Sequence, residues 1–174
     1  MSTLFVENTP EVQEWLARRH ERGLDKKDEV WEGVYHVAPV EHARNGMTAM
    51  QLVLFLQHAA ASAGLTPTGP FNLGEERDHR VPGIGFHRDA TPRQYMPTAA
   101  LVVEVLSPGD ETFAKLGFYA AHGVEEVWVV DPLARSVRIW QLRHGALTET
   151  GASALLSLTA RSVAQSLQWP EEES

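Results

Sequence analysis

An acidic residue stands in the middle of an apolar stretch, and a lysine follows it in the next segment. Glu104 lies within Leu101–Leu106, which is otherwise apolar on both faces, as is typical of a central strand. A buried carboxylate is costly unless it pairs with a cation or binds a metal ion. Lys115 is a candidate partner. Glu104 is therefore the first residue to examine for chemistry.

The segment that carries the lysine is predicted to be a helix. Asp110 can cap it at its start, and Gly123 fits the left-handed conformation that often ends a helix near His122. Lys115 and Tyr119 are four residues apart, so they share one face. The strand before the helix and the lysine on it can therefore meet.

Two further strands complete this part of the chain. Val127–Val130 is again apolar on both faces, and Val137–Leu142 alternates, so the pair is predicted to form a hairpin. A strand, a helix and a second buried strand in this order indicate a crossover unit. The fold class predicted is α/β, or an α+β mixed sheet with flanking helices.

The remaining elements follow from hydrophobic periodicity and capping residues. They are a helix over 11–22, a strand over 30–37, a helix over 46–62 capped by Asn45, strands near 71–73, 81–86 and 155–158, and a helix from Thr159 to Leu167. The apolar residues of the second helix cover a wide arc, which predicts that it is well buried. They are Met47, Met50, Val53, Leu54 and Leu56.

Length and composition favour one ordinary globular domain. The chain has 174 residues, 43% hydrophobic and 22% charged, so 1–174 is expected to form a single domain with frayed ends at 1–9 and 170–174. It has no cysteine, which excludes disulfides and thiolate chemistry. A net charge of −8 argues against a general nucleic-acid-coating protein. No signal peptide or membrane span is recognisable, so a cytoplasmic protein without membrane contact is expected.

Several common catalytic signatures are missing from the sequence. It has no Walker A motif, no Gly-x-Ser-x-Gly elbow and no His-Glu-x-x-His pattern. Gly83-Ile84-Gly85 is too short to be a dinucleotide-binding fingerprint. What remains is a carboxylate on a central strand, a lysine on the next helix and a Val-Pro-Gly strand upstream.

These features resemble the Uma family of restriction-endonuclease-like domains, a branch of the PD-(D/E)XK nuclease-like superfamily, over about 25–167. The matching segments are DEVWEGVYHV, the His-containing turn EHARNG, VPGI at 81–84, EVLSP at 104–108, Lys115, and YAAHGVEEVWVVD at 119–131. In the wider superfamily the lysine follows the glutamate on the same strand, where this chain has Leu106. In this branch the lysine has moved to the next helix, at Lys115.

The resemblance implies a restriction-endonuclease-like core and Mg²⁺-dependent, or Mn²⁺-dependent, hydrolysis of DNA. Glu104 and the Val105 carbonyl would hold the metal, with Glu32 as a weaker candidate. Lys115 would act with Glu104 in catalysis by orienting water or neutralising developing charge. Two residues would line the site, namely His42 and Tyr119.

One position departs from the family pattern. The family has a Pro-Asp carboxylate as a metal ligand, and this chain has Gly83 there. Asp78 and Asp89 lie five positions before and six after it, so either would need a loop that folds back. The sequence therefore predicts that metal binding is weakened and that cleavage is weak or lost.

Two other hypotheses belong to different classes. The chain could be a non-catalytic module of nuclease fold that binds nucleic acid or protein, as Gly83 and the acidic charge suggest. It could also form a homodimer through sheet or hairpin residues such as Trp140.

Overall fold

A computed structural model of the chain describes residues 4–6, 9–38 and 42–169. The predicted fraying of 1–3, 7–8 and 170–174 concerns residues outside these ranges. The described strands are β1 (Leu4–Val6), β2 (Glu29–Trp31), β3 (Val34–Val37), β4 (Thr66–Thr68), β5 (Asn72–Glu75), β6 (Asp78–Arg80), β7 (Ile84–His87), β8 (Tyr95–Met96), β9 (Leu101–Val105), β10 (Glu126–Asp131), β11 (Ser136–Arg143) and β12 (Ala146–Thr150). The α-helices are α1 (Pro10–Glu21), α2 (Ala43–Ser62), α3 (Leu116–Ala121) and α4 (Ala160–Ser166).

The larger part of the core is built on a mixed sheet of order β12-β11-β10-β9-β7-β4. β9 and β10 are parallel, and a 3-10 helix (Thr112–Lys115) continues into α3 between them. β10 and β11 are antiparallel neighbours, with Val127 opposite Trp140. The predicted crossover unit, the predicted hairpin and the mixed α/β fold class are therefore confirmed.

The central strand β9 is apolar because both of its faces are covered. Leu101 and Val103 belong to the core cluster that contains Leu52 and Leu56 of α2. Val102, on the other face, belongs to the cluster that contains Tyr119 of α3. Side chains alternate along a strand, so Glu104 shares the Val102 face and is directed toward α3.

A second sheet has the order β1-β3-β2-β6-β5-β8. The single strand predicted over 30–37 is wrong, because the segment is a hairpin of β2 and β3 in which Trp31 lies opposite Val34. Its two turn residues have positive φ, 49° at Glu32 and 85° at Gly33. A two-residue turn places residues three apart on the same face, so Trp31 shares its face with Val34 and His36 and not with Tyr35, as it would in a continuous strand.

Helix α2 begins earlier than predicted and buries a different face. Its cap is His42, whose Nδ1 accepts a hydrogen bond from the backbone of Arg44 at 3.2 Å. The prediction of a well-buried apolar arc is wrong for Met47, Met50 and Leu54, which are 65%, 60% and 58% exposed. The face that packs on the core instead includes Thr48, Leu52, Leu56 and Ala60. Because this face includes a polar residue, Thr48, and a small one, Ala60, the hydrophobicity pattern does not identify it.

The other predicted elements differ in their outcomes. The first and last helices are confirmed, and Thr159 caps α4 in a reciprocal capping box with Ser162. The strand predicted at 155–158 is wrong, since this segment forms turns flanked by a bridge between Ala152 and Thr159. Trp140 is 6% exposed and packs within the chain, so its side chain offers little surface to a dimer partner. Among the described helices, none has the length and apolarity that a membrane crossing requires.

A substitution at Gly74 in β5 tests the close packing between strands of the second sheet. Its φ is +117°, and an added Cβ would lie 2.3 Å from the carbonyl oxygen of Asp78. We expect Gly74→Ala to lower the free energy of unfolding by about 2 kcal/mol or more, because backbone and side chain both resist the methyl group.

The matched control for this change is Gly46→Ala in α2, where an added Cβ meets nothing within 4 Å. That variant should be stabilised by about 0.5–1 kcal/mol, since alanine is the better helix former. Urea unfolding of both variants measures the difference, and equal stabilities would contradict the packing at Gly74.

Candidate active site

Four side chains from different elements form one buried network. Lys115 Nζ donates to Glu29 Oε1 at 2.8 Å and lies 3.4 Å from Glu104 Oε1. The hydroxyl of Tyr119 donates to the same Glu104 oxygen at 2.5 Å. Lys115 ends the 3-10 helix and Tyr119 lies one turn later in α3, so the crossover places both of them over β9.

Glu29 enters this network from β2 in the other sheet. Besides Lys115, its Oε1 accepts the backbone N–H of Val81 at 2.7 Å, and its Oε2 accepts the indole N–H of Trp31 at 2.7 Å. Both carboxylate oxygens are therefore engaged by protein donors. Glu29 thereby holds Lys115 in place.

The sequence pointed to Glu32, and the structure brings Glu29 to the site instead. Glu32 is an exposed turn residue whose backbone N–H donates to Asp78 Oδ1 at 3.1 Å. The signal that could have found Glu29 is its phase, because it lies two residues before Trp31 and so on the same face of β2. Gly33, whose φ is 85°, is a further turn signal, because glycine adopts positive φ readily.

The two carboxylates have opposite electrostatic environments. Burial raises the pKa of Glu29, but the charge of Lys115 and hydrogen bonds from Lys115, Val81 and Trp31 outweigh it, so this pKa lies below its ordinary value. Burial raises the pKa of Glu104, and Lys115 and Tyr119 do not cancel the increase. Burial lowers the pKa of Lys115, but the two carboxylates more than compensate and raise it. Glu29 is therefore the firmly ionised partner of Lys115.

The network forms the floor of a cleft of about 530 Å³. Of the residues predicted from sequence, the cleft is lined by Glu104, Val105, Lys115, Gly83 and His42. Tyr119 is fully buried behind Glu104 and acts on it through the hydrogen bond. Both donors to Glu104 reach Oε1, and within the described part of the chain no donor reaches Oε2.

Gly83 lies beside Glu104, one residue before β7. In the β7–β9 ladder Ile84 is opposite Val103, so continuing this register by one residue places Gly83 opposite Glu104. A Cβ added at Gly83 would meet only the Val103 carbonyl oxygen, at an ordinary 3.6 Å. The backbone therefore has room for a side chain directed at the site, although the chain has none.

The two aspartates near Gly83 in sequence are engaged elsewhere. Asp78 accepts hydrogen bonds from the Glu32 backbone and from Arg80. Asp89 accepts the backbone N–H of Thr91 and pairs with Arg93. Neither lines the cleft, so neither supplies the carboxylate that position 83 lacks.

The donor set does not form a complete divalent-metal site. Mg²⁺ prefers hard oxygen ligands, often one or two carboxylates. Here Glu29 is occupied by protein donors, and Glu104 offers one oxygen next to an ammonium group. Among residues 9–38 and 42–169, no group of three or more histidine, aspartate or glutamate residues is placed to hold a metal ion.

Asn45 holds the loop at the mouth of the cleft. Asn45, predicted to be a helix cap, is buried and donates from Nδ2 to Ser107 Oγ at 2.6 Å. Asp110 accepts the backbone N–H groups of Ser107 and Thr112, so it organises the turn that follows β9. These contacts fix the end of β9 relative to α2, and with it the position of Glu104.

The fold of this chain is shared with a protein of known structure. It is similar to the crystal structure described as a putative nuclease belonging to DUF820 from Anabaena variabilis, with a TM-score of 0.65 and 13% identity. The similarity covers 80% of this chain and 90% of that one. Identity this low shows the shared fold alone. A comparison with curated proteins gives no match.

The family follows from the sequence profile of Uma2, described as "Putative restriction endonuclease", which matches residues 12–170. The chain belongs to this family, and the predicted resemblance is confirmed.

The contribution of Glu29 can be measured through stability. Replacing it by glutamine in Glu29→Gln removes the ionised partner closest to Lys115 while keeping the side-chain shape. Breaking a buried ion pair from one side costs about 3 kcal/mol, which is the loss expected in the free energy of unfolding. Glu32→Gln is the matched control, since this exposed turn position should change stability by less than about 0.5 kcal/mol. Equal losses in both variants would contradict the assignment.

The opposite pKa directions predict opposite pH trends. The lowered pKa of Glu29 means that its stabilisation is present above the ordinary value of 4.5 and is lost as pH falls through the folded-state pKa. The raised pKa of Glu104 means that its contribution is present below 4.5 and is lost as pH rises through the folded-state pKa. As the pH rises from about 3 to 4.5, Glu29→Gln should therefore lose stability relative to the wild type, and as it rises further to about 7, Glu104→Gln should gain stability relative to the wild type. Urea unfolding across this range tests it, and parallel trends would refute it.

Proposed function

We propose that the cleft is a nuclease-type site that binds nucleic acid and in which metal-dependent cleavage of DNA is weak or lost. The observation that carries the proposal is Gly83, which lies in register beside Glu104 where the family pattern has a carboxylate. Glu104 and Lys115 are retained, and both line the cleft. The charged residues Glu104 and Lys115 are present, and the second carboxylate that would complete a metal site is missing.

The retained residues support chemistry at a phosphate. Lys115 is a positive charge at the cleft floor, and its ion pair with Glu29 fixes its position. Such a preorganised cation stabilises negative charge without reorganisation. Mg²⁺ or Mn²⁺ bound by carboxylates would add Lewis-acid polarisation of a phosphodiester, for which the described residues supply an incomplete donor set.

A non-catalytic module is the second candidate function. The observation in its favour is that both oxygens of Glu29 accept protein donors, so the network serves the fold without any ligand. In that case the chain would bind nucleic acid or protein independently of metal. A cytoplasmic location, a single domain over 1–174 and a homodimer remain predictions.

Restoring the missing carboxylate tests the proposal. Gly83→Asp should strengthen Mg²⁺ binding at least about tenfold in calorimetric titrations, because it adds a second oxygen ligand next to Glu104. Space for the side chain is available. Gly151→Asp is the matched control, since it adds the same charge at an exposed glycine whose added Cβ would meet nothing within 4 Å. Equal Mg²⁺ affinity in both variants would count against a metal-type site.

Plasmid nicking with Mg²⁺ and Mn²⁺ tests the activity itself. We expect weak or no nicking by the wild type and more by Gly83→Asp, since only the variant has a second carboxylate. Robust wild-type nicking that Glu104→Ala abolishes would show that the site is intact and would overturn the proposed loss. Metal-independent DNA binding without nicking in either protein would favour the non-catalytic module.

A further inference from the structure

We infer that two copies of this chain pair through helix α2, with the two helices antiparallel across a twofold axis. The surface that they cover is the α2 stripe, a row of six exposed positions on the outer face of the helix. These positions are Ala43, Met47, Met50, Leu54, Gln57 and Ala61. The inference is independent of the proposed function, because it does not use the charged residues of the cleft.

The spacing of the α2 stripe is that of a coiled-coil seam. Its positions follow one another in alternating steps of four and three residues, which is the spacing of the a and d positions of a heptad repeat. Met47, Met50 and Leu54 are 65%, 60% and 58% exposed. The outer face of a helix that packs on a core is normally polar. A second helix that lies along this seam would bury its apolar side chains.

The α2 stripe lies in a segment without acidic or basic residues other than His58. From 45 to 62 the chain has no Asp, Glu, Lys or Arg, although 22% of all its residues are charged and its net charge is −8. Two copies with this net charge repel each other. An uncharged face lets them approach without bringing like charges together. The lack of lysine and arginine also makes this face poorly suited to an anionic membrane surface.

The chain itself leaves the α2 stripe uncovered. Its last described residues lie along one flank of the helix, where the Gln51 side chain donates to the Gln168 carbonyl at 3.1 Å and accepts the Gln168 N–H at 2.8 Å. Within the 174 residues, the longest segment outside the described ranges is 170–174. It contains three glutamates and no large apolar side chain.

Length separates this segment from a second copy of the helix. Five extended residues span at most about 18 Å. The α2 stripe runs from position 43 to position 61, which at about 1.5 Å per residue is roughly 27 Å. The same helix of a second copy has the length and the apolar residues to cover it.

The antiparallel orientation follows from the positions at the two ends of the helix. An antiparallel seam places each a position opposite a d position, so that Met50 lies opposite Leu54 of the second copy, Met47 opposite Gln57 and Ala43 opposite Ala61. A parallel pair would bring the two Arg44 side chains, in the first turn of each helix, to the same end. The antiparallel pair places each Arg44 beside the last turn of the other helix, where free carbonyl groups favour a cation.

The size of the α2 stripe predicts a weak dimer. A helix face of roughly 27 Å by 10 Å is smaller than the about 800 Å² that each partner contributes to a stable interface. We therefore expect monomer and dimer to be in equilibrium, with a dissociation constant on the order of tens of micromolar.

Sedimentation velocity of the full chain between about 2 and 300 μM tests the pairing. We expect the wild type to change from monomer to dimer over this range, and Leu54→Glu to weaken the dimer at least about tenfold, because it places a charge opposite Met50. Leu24→Glu is the matched control, since it adds the same charge at a leucine outside α2 that is 57% exposed. Leu24→Glu should dimerise like the wild type. Thermal unfolding of both variants at low concentration checks that the monomer still folds.

Disulfide cross-linking tests the orientation, since the chain has no cysteine of its own. In the antiparallel pair, position 47 lies opposite position 57, and the two copies of either position are ten residues, or about 15 Å, apart along the helices. A disulfide needs Cα atoms within about 7 Å. Oxidation of a mixture of Met47→Cys and Gln57→Cys should therefore join one variant to the other, and neither variant should cross-link with itself.

Three results would overturn the inference. The first is a wild type that stays monomeric up to about 300 μM, which would leave the α2 stripe to a different partner. The second is dimerisation that Leu54→Glu leaves unchanged or that Leu24→Glu weakens equally. The third is cross-linking of each cysteine variant with itself, which would indicate a parallel pair.

Discussion

The ion pair between Glu29 and Lys115 is the interaction on which the site depends. Glu29 comes from the second sheet, and Lys115 comes from the crossover that covers the first, so the pair joins the two halves of the structure. Charges this deeply buried are tolerated only when they are paired and hydrogen-bonded. The backbone of Val81 and the indole of Trp31 provide the remaining bonds, which fixes the orientation of β2 against β9.

The same pair explains how one carboxylate can stay available. Lys115 is closer to Glu29 than to Glu104, and Tyr119 fixes only Oε1 of Glu104. Glu29 thus meets the structural need for a counter-charge, and Glu104 is left at the end of β9 facing the cleft. Because Glu29 pairs with Lys115, the fold can keep Glu104 in a buried position that disfavours its ionised form.

Residues whose burial is unusual can be identified from the sequence, whereas residues whose role depends on pairing between strands cannot. An acid inside an apolar strand is a local anomaly, and so Glu104 and a lysine on the next helix could be identified together. Glu29 was missed because the segment 30–37 was interpreted as one strand, so the turn at Glu32 and Gly33 that pairs β2 with β3 was not recognised. β12 was missed because its Thr and Glu side chains are exposed at a sheet edge, where pairing with β11 and not hydrophobicity decides the structure. Burial on α2 was misjudged because its apolar residues surround most of the helix, and periodicity then selects no face.

Helix α2 serves the interior and the cleft at once. Ala49 and Val53 line the cleft and also pack against the core cluster that contains Leu52 and Leu56. A molecule in the cleft therefore contacts side chains that also pack on the folded core. The unfolded chain has no such binding surface. By mass action, any ligand of the cleft raises the apparent stability of the protein with its concentration. The melting temperature is thus a readout of occupancy that presumes nothing about the chemistry of the ligand.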